Sequence, residues 1–260
     1  RDRDRDRDRD RDRDMIRLDV NSRFTLMGGG RKKTIPKKIH QIFMDIGKGN
    51  LYEAANGRFY QSHQLTRNYC KKANISYHLW NKSEIESLIS GVVNGRYLVF
   101  YKSMREDIQR IDFAKYVILY IHGGIYMDLD VNIIESNTKQ RSALMALFRL
   151  EYLFVRWNDS FLPYNAILGT SRKHPLFLEI IKGSKKAYIE KSRMPIYEKW
   201  KGRFVFQTTG HYMLQRVLKQ HDIDDSEYHN ILHIENKGKT IRSPNPIFYD
   251  TNESIWFATL

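Results

Sequence analysis

Gly123-Gly124-Ile125-Tyr126-Met127-Asp128-Leu129-Asp130 decides how this chain is expected to fold. Ile125 to Val131 reads as a short strand, entered through a double glycine and carrying two carboxylates two residues apart. In an extended backbone, residues i and i+2 point to the same side. Leu129 is therefore expected to plug into the core while Asp128 and Asp130 face out together at the strand's end. Ligands of open α/β sheets collect at that carboxyl end. Two hard oxygen donors on one side suit Mn²⁺ or Mg²⁺. The glycines, Gly124 among them, would let a ligand approach the backbone without meeting a Cβ.

Upstream, residues 106–122 carry Ile108, Ile111, Tyr116, Ile118, Leu119 and Tyr120, dense enough in apolar side chains for a largely buried helix that Gly123-Gly124 would stop. Asp112 and Lys115 lie at i and i+3 on it and share a face. A carboxylate among Ile111, Phe113 and Ala114 needs a partner. Two roles fit: a structural ion pair with Lys115, or a site in which Asp112 accepts hydrogen bonds from a ribose while the lysine meets phosphate.

Outward from this centre, Ile35 to Phe43 reads as a Pro-initiated first strand, 51–72 as a helix and Ile75 to Trp80 as a second strand. Ser83 with Glu86 forms a capping-box signature for a helix through Ile89. Strand-like pieces follow near 143–155 and at Asn165 to Gly169, then helices from Pro175 and over Gly210 to Leu218, and a late strand at Ile231 to Ile234. Strands alternating with helices predict an α/β fold with a mainly parallel sheet. Residues 34–260 are read as one catalytic domain; 1–33 are read as a disordered tail of seven Arg-Asp pairs followed by a linker through Gly28-Gly29-Gly30.

The chain has 260 residues and a formal charge of +14, all of it beyond the neutral Arg-Asp tail, which favours polyanionic partners or phosphorylated small molecules. No run reaches the roughly 18–20 apolar residues of a membrane span, and no signal-peptide pattern opens the chain. A soluble enzyme of the cytoplasm or a viral factory is expected, or of the Golgi lumen if an anchor precedes residue 1. The single cysteine, Cys70, excludes an internal disulfide and reads as a buried filler. His40 reads as a hydrogen-bonded structural histidine, and the histidines show no zinc-like spacing. A Gly-x-x-x-x-Gly-Lys-Ser/Thr phosphate loop is absent, which removes the main support for a P-loop enzyme.

The run from Ile111 through Val131 resembles the core of the DXD-motif glycosyltransferases of family 32, which include yeast-type α-1,6-mannosyltransferases, with the clostridial glucosylating toxins as more distant relatives. Ile35 to Phe43 is similar to that family's N-terminal strand, Tyr77-His78-Leu79-Trp80 to its second strand, and Asn165-Ala166-Ile167-Leu168 with His174-Pro175 to a later segment. The resemblance implies a GT-A fold, a Rossmann-like nucleotide-diphosphosugar domain, and transfer with retention of anomeric configuration. It implies a UDP- or GDP-hexose donor and a glycan or protein acceptor, with Asp128 and Asp130 as the catalytic, metal-holding pair on the donor diphosphate. Phe43 would stack on the nucleobase, Asp112 would contact the ribose, Tyr126 would line the donor site, and Asn165 would face the donor or acceptor sugar. Ser254-Ile255-Trp256 resembles a toxin-type closing loop, so Ser254 and Trp256 would cover the donor phosphate. Three residues depart from the family pattern: Phe43 stands where tryptophan is usual, Lys115 where arginine is usual, and His211 replaces proline in Thr209-Gly210-His211. Lysine lacks the planar fork with which arginine grips phosphate.

Two rival classes are defined by their own observables. A metal-dependent phosphoesterase would want further carboxylates or histidines around Asp128. A basic module binding nucleic acid or an anionic membrane, with a degenerate donor site, would bind with steep salt dependence and no nucleotide-sugar affinity.

Overall fold

The computed structural model describes residues 33–45, 50–52, 57–92, 95–134, 137–156, 161–196, 200–236, 239–242 and 246–250. Five strands form the central sheet: β1 (Lys38–Ile42), β2 (Ser76–Trp80), β3 (Gly124–Met127), β5 (Tyr152–Arg156) and β6 (Pro163–Thr170), in the order β2-β1-β3-β6-β5. β2 and β3 pair parallel to β1, and β6 runs antiparallel to both β3 and β5. β5 therefore points the same way as β1, β2 and β3, so the sheet is mainly parallel with β6 alone reversed. The expected α/β class holds.

Side chains alternate between the two faces of this sheet as the strand period requires. On β3, Ile125 and Met127 join one buried cluster while Tyr126 joins the other. Leu153 and Val155 of β5 share the first cluster, Tyr152 and Phe154 the second. Over the Tyr126 face lie α2 (Lys82–Ser90), α3 (Arg96–Ser103), α4 (Asp107–His122), α6 (Pro175–Lys191), α7 (Lys201–Thr208) and α8 (His211–Gln220). The other face is covered by α1 (Arg58–Ala73), α5 (Thr138–Leu147) and part of a second sheet. That sheet, in the order β4-β9-β7-β8, comprises β4 (Val131–Ile133), β7 (Leu232–Asn236), β8 (Lys239–Arg242) and β9 (Phe248–Asp250). No helix among the described residues is long and apolar enough to cross a membrane.

Several local expectations need correction. The strand expected from Ile125 to Val131 is broken: β3 stops at Met127, and Val131 N donates to the Asp128 carbonyl at 3.1 Å, closing a turn before β4. Asp128 and Asp130 thus flank the bend of a tight turn rather than alternate along one strand, although Leu129 between them is buried as expected. The capping box lies at Asn81 and Glu84, two residues ahead of Ser83 and Glu86. Asparagine caps as well as serine, and the earlier box starts α2 at Lys82. The strand-like reading near 143–155 holds only for β5, because Asn137 caps Gln140 N and opens α5 over the preceding residues. α1 starts at Arg58, behind Gly57, whose φ of 79° ends the helix on that side. Cys70 is buried, and burial pushes its thiol up to about 12, the inert filler expected.

Candidate active site

β1 and β3 run parallel, so Phe43, just beyond β1, and Asp128, just beyond β3, lie at the same carboxyl edge of the sheet. Phe43 N continues the β1–β2 ladder to the Trp80 carbonyl at 2.9 Å, and its side chain is half-buried. Reversed β6 starts at this edge, where Asp128 N donates to the Ala166 carbonyl at 2.9 Å. Asn165, one residue earlier, is thereby set beside the carboxylates.

What gathers there is a charged network around one buried ammonium. Lys115 Nζ lies 3.0 Å from Asp112 Oδ1 and 3.4 Å from Asp128 Oδ1, and donates to the Asn165 carbonyl at 3.2 Å. The same ammonium sits 5.0 Å above the Tyr126 ring. Lys115 is 1% exposed; burial alone would lower its pKa, but Asp128 and Asp112 outweigh it and hold the ammonium above its usual range. The i and i+3 pairing read from the sequence is therefore formed, with Asp128 as a second acceptor. Asp112 is saturated: Asn165 Nδ2 donates to Oδ1 at 2.8 Å and the Thr209 hydroxyl to Oδ2 at 3.1 Å. Tyr116, on the same face of α4, contacts Asn165 Oδ1 and the Thr209 carbonyl at 2.8 and 2.7 Å.

Asp128 is fixed from three directions. The Tyr126 hydroxyl donates to its Oδ1 at 2.6 Å, Lys115 approaches the same oxygen, and Gln41 Nε2 donates to its backbone carbonyl at 3.2 Å. Gln41 is in turn held by the Tyr77 hydroxyl at 2.7 Å, and Tyr77 by His63 at 2.7 Å. Although the Asp128 side chain is 32% exposed, its setting is deep enough that burial raises its pKa despite Lys115 and Tyr126. Asp130 stands still higher: burial comes first, followed by the charges of Asp250 and Asp128. Asp250 is on β9, opposite Val131 of β4, and accepts from the Tyr164 hydroxyl. The turn therefore concentrates negative charge in a desolvated place, a setting that favours a cation, and its oxygens suit a hard divalent ion. Asp128 and Asp130 are the residues that would hold one; no group of three or more His, Cys, Asp or Glu placed for a metal occurs among the described residues.

The glycine pair meets the sheet rather than a ligand. Gly123 caps α4 with φ 63°, and Gly124 has φ 105°, where an added Cβ would lie 2.7 Å from the Lys38 carbonyl and 3.0 Å from His40 Nε2. The room at Gly124 is taken up by β1. His40 is fully buried; Trp80 Nε1 donates to its Nδ1 at 3.1 Å, leaving Nε2 to donate to the Gly123 carbonyl at 2.9 Å. Burial lowers its pKa to about 3, so it is a neutral structural histidine, as expected.

Asp112, Lys115, Tyr126, Asp128 and Asn165 are thus brought together, with Asp130 adjoining and Phe43 at the same edge. Ser254 and Trp256 lie outside the described residues. Sequence reasoning missed Tyr116, Gln41, Tyr164 and Asp250. Tyr116 carried a signal, since it follows Asp112 by four residues on one helical face.

Residues 57–146 match the family model described as a glycosyltransferase sugar-binding region containing a DXD motif. An uncharacterized glycosyltransferase of Acanthamoeba polyphaga mimivirus is 29% identical over 153 residues, 57% of this chain and 55% of that protein. Inositol phosphoceramide mannosyltransferase 1 of Schizosaccharomyces pombe is 31% identical over 102 residues, 39% of this chain and 30% of that protein. The chain thus spans about half the length of the viral relative and less of the yeast one. Among solved structures, the PaToxG glycosyltransferase is similar with a TM-score of 0.47 and 13% identity, covering 73% of this chain and 70% of that one. A glycosyltransferase involved in glycosylation of the major capsid of PBCV-1 has a TM-score of 0.43 and 12% identity, covering 85% and 98%.

Proposed function

We propose, for a chain whose residues 57–146 match the glycosyltransferase sugar-binding region containing a DXD motif, that it is a glycosyltransferase moving a hexose from a UDP- or GDP-sugar to a hydroxyl acceptor, with retention of configuration and dependence on Mn²⁺ or Mg²⁺. The observation that carries this is the Asp128-Leu129-Asp130 turn at the carboxyl edge of the sheet, with Asp128 locked by Tyr126 and Lys115. A divalent ion held by Asp128 and Asp130 would supply Lewis-acid neutralisation of the diphosphate that leaves.

The protein's own side chains orient and select. Phe43 offers a ring face to the nucleobase, which accepts any base and leaves UDP and GDP donors both open. Tyr126 and Lys115 fix the Asp128 carboxylate before substrate arrives, so little reorganisation is needed during reaction. Asn165 and Asp112, tied through Thr209 and Tyr116, form a rigid wall toward the sugar. The bond from the sugar's anomeric carbon to the diphosphate oxygen breaks, the acceptor oxygen bonds to that carbon on the same face, and the acceptor's proton passes to the departing phosphate oxygen. A glycan or protein hydroxyl is the acceptor class; the name of the yeast relative adds an inositol-phosphate lipid headgroup to those worth assaying.

The test is a panel of UDP-glucose, UDP-galactose, UDP-N-acetylglucosamine and GDP-mannose, with and without Mn²⁺, read as thermal shift and release of free nucleoside diphosphate. A metal-dependent response to one donor is expected, and its loss in Asp128→Asn. A folded protein answering to none of them, or Asp128→Asn and Asp130→Asn variants with full turnover, would overturn the reading.

A further inference from the structure

One face of the molecule combines features that the donor site does not use. Around the end of α6 and the start of α7, Ile189, Met194, Ile196 and Trp200 are exposed by 44%, 45%, 53% and 61%. The two segments that carry these side chains pack against each other. The Tyr188 ring lies 5.4 Å from that of Phe204, and Phe204 N donates to the Trp200 carbonyl at 2.9 Å. Arg105 ties both segments together, donating to the Ser192 carbonyl at 2.8 Å with its guanidinium 5.4 Å over Phe204.

Charge around the patch is one-sided. Residues 182–203 contain eight Lys or Arg against two Glu. Lys182 and Lys186 pair with Glu179 and Glu190 on the helix surface, while Arg193, Lys201 and Arg203 are exposed beside the apolar side chains. A basic surface alone fits any polyanion. Aliphatic Ile189, Met194 and Ile196 have no use against a sugar-phosphate backbone, but they and a tryptophan fit the headgroup boundary of a bilayer, where an indole is at home and Lys and Arg meet anionic headgroups.

We propose that this face is a peripheral docking surface for an anionic lipid bilayer, with Trp200, Ile196, Met194 and Ile189 entering the headgroup region under a rim of lysine and arginine. α7 connects this surface to the site. Its eight residues, Lys201–Thr208, lie between Trp200 and Thr209, whose hydroxyl binds Asp112, and at 1.5 Å per residue they span about 12 Å. A docked enzyme would hold its sugar-transfer site about one short helix above the lipid surface, within reach of an acceptor displayed there. That reach rests on the glycosyltransferase reading; the docking does not.

The test is co-sedimentation of the full chain with phosphatidylcholine vesicles, plain or containing about 30% phosphatidylserine, at low and high salt. Binding to the anionic vesicles, weakened by salt and weak on plain ones, is expected. Trp200→Ala with Ile196→Ser, and separately Lys201→Glu with Arg203→Glu, should each lower partitioning about tenfold or more while melting temperature stays unchanged. Trp200 caps α7 without a side-chain hydrogen bond, so its removal spares the helix. Folded variants that bind like the parent would overturn the proposal, as would capture on heparin without binding to any vesicle. Because no donor is present, a protein that docks yet transfers no sugar would refute only the enzymatic reading.

Discussion

Lys115 Nζ lies 3.4 Å from the Oδ1 of Asp128, the lysine 1% exposed and the aspartate 32% exposed. One end of this ion pair is sealed in the core while the other is partly open, so the protein supplies a fixed positive charge behind a carboxylate that solvent can reach. Removing one member of a buried pair leaves the other uncompensated and costs about 3–5 kcal/mol. Lys115→Met is expected to lose stability of that order in urea unfolding, because both Asp112 and Asp128 lose their counter-ion. A loss under about 1 kcal/mol would show that the ammonium contributes little net stability.

Tyr126→Phe keeps the buried ring and removes the 2.6 Å bond to Asp128. Hydrogen bonds to charged groups contribute about 1.5–3 kcal/mol, and partners that orient a metal-holding side chain typically change affinity about 10–100-fold. The expected result is a modest loss of stability with Mn²⁺ affinity about tenfold weaker, read by titration of donor-dependent turnover. Unchanged metal response would remove Tyr126 from the orienting role.

Asp130→Asn should separate stability from activity. The Asp130 carboxyl is raised well above the usual range by burial and by the charges of Asp250 and Asp128. Its ionised form is therefore disfavoured by folding: the penalty is absent below the unfolded pKa, about 3.9, and present in full once pH exceeds the folded value. In EDTA, at a pH above that folded value, the asparagine variant should be the more stable protein while turnover drops by about 10²-fold or more. Lower stability of the variant would contradict the repulsion.

Acid should destabilise the protein through His40. Held neutral by burial with a pKa of about 3, it takes up its proton only in the unfolded chain as pH falls below 6.5. Stability present above 6.5 is then lost by up to about 1.4 kcal/mol per pH unit until the folded value is reached. His211 and His229, both lowered to about 4 by burial, act in the same direction. Comparing the pH slope of unfolding in the parent and in His40→Gln isolates the first contribution; identical slopes between pH 6.5 and 4 would exclude it.

Much of the fold was legible because its elements announce themselves locally. The apolar run of α4 ending at Gly123, the Pro36-led, partly alternating stretch into β1 and the Pro175 start of α6 each carry their signal locally. The small sheet was mostly illegible. Its β4 and β9 meet across more than a hundred residues, and the three-residue β4 has no period to read. The same holds within the site. The spacing put Asp112 and Lys115 on one face and made their ion pair one of two readings, whereas Asn165 and Thr209 reach Asp112 across 53 and 97 residues. Gly124 illustrates the opposite error: a sound rule about small residues was assigned to a ligand, when the close neighbour is β1 itself.

The bend between Met127 and Val131 also constrains how this chain can vary in length. β3 belongs to one sheet and β4 to the other, with only Asp128, Leu129 and Asp130 between them. One residue added or removed there would either distort the turn or shift the register of β3 or β4, and a one-residue slip turns a strand's side chains to the opposite face. Either Met127 and Val131 would leave the core or the two sheets would part. Surface loops elsewhere can lengthen at small cost, but this three-residue span is a measured splice, and the spacing of its aspartates is set by architecture before chemistry makes any demand on it.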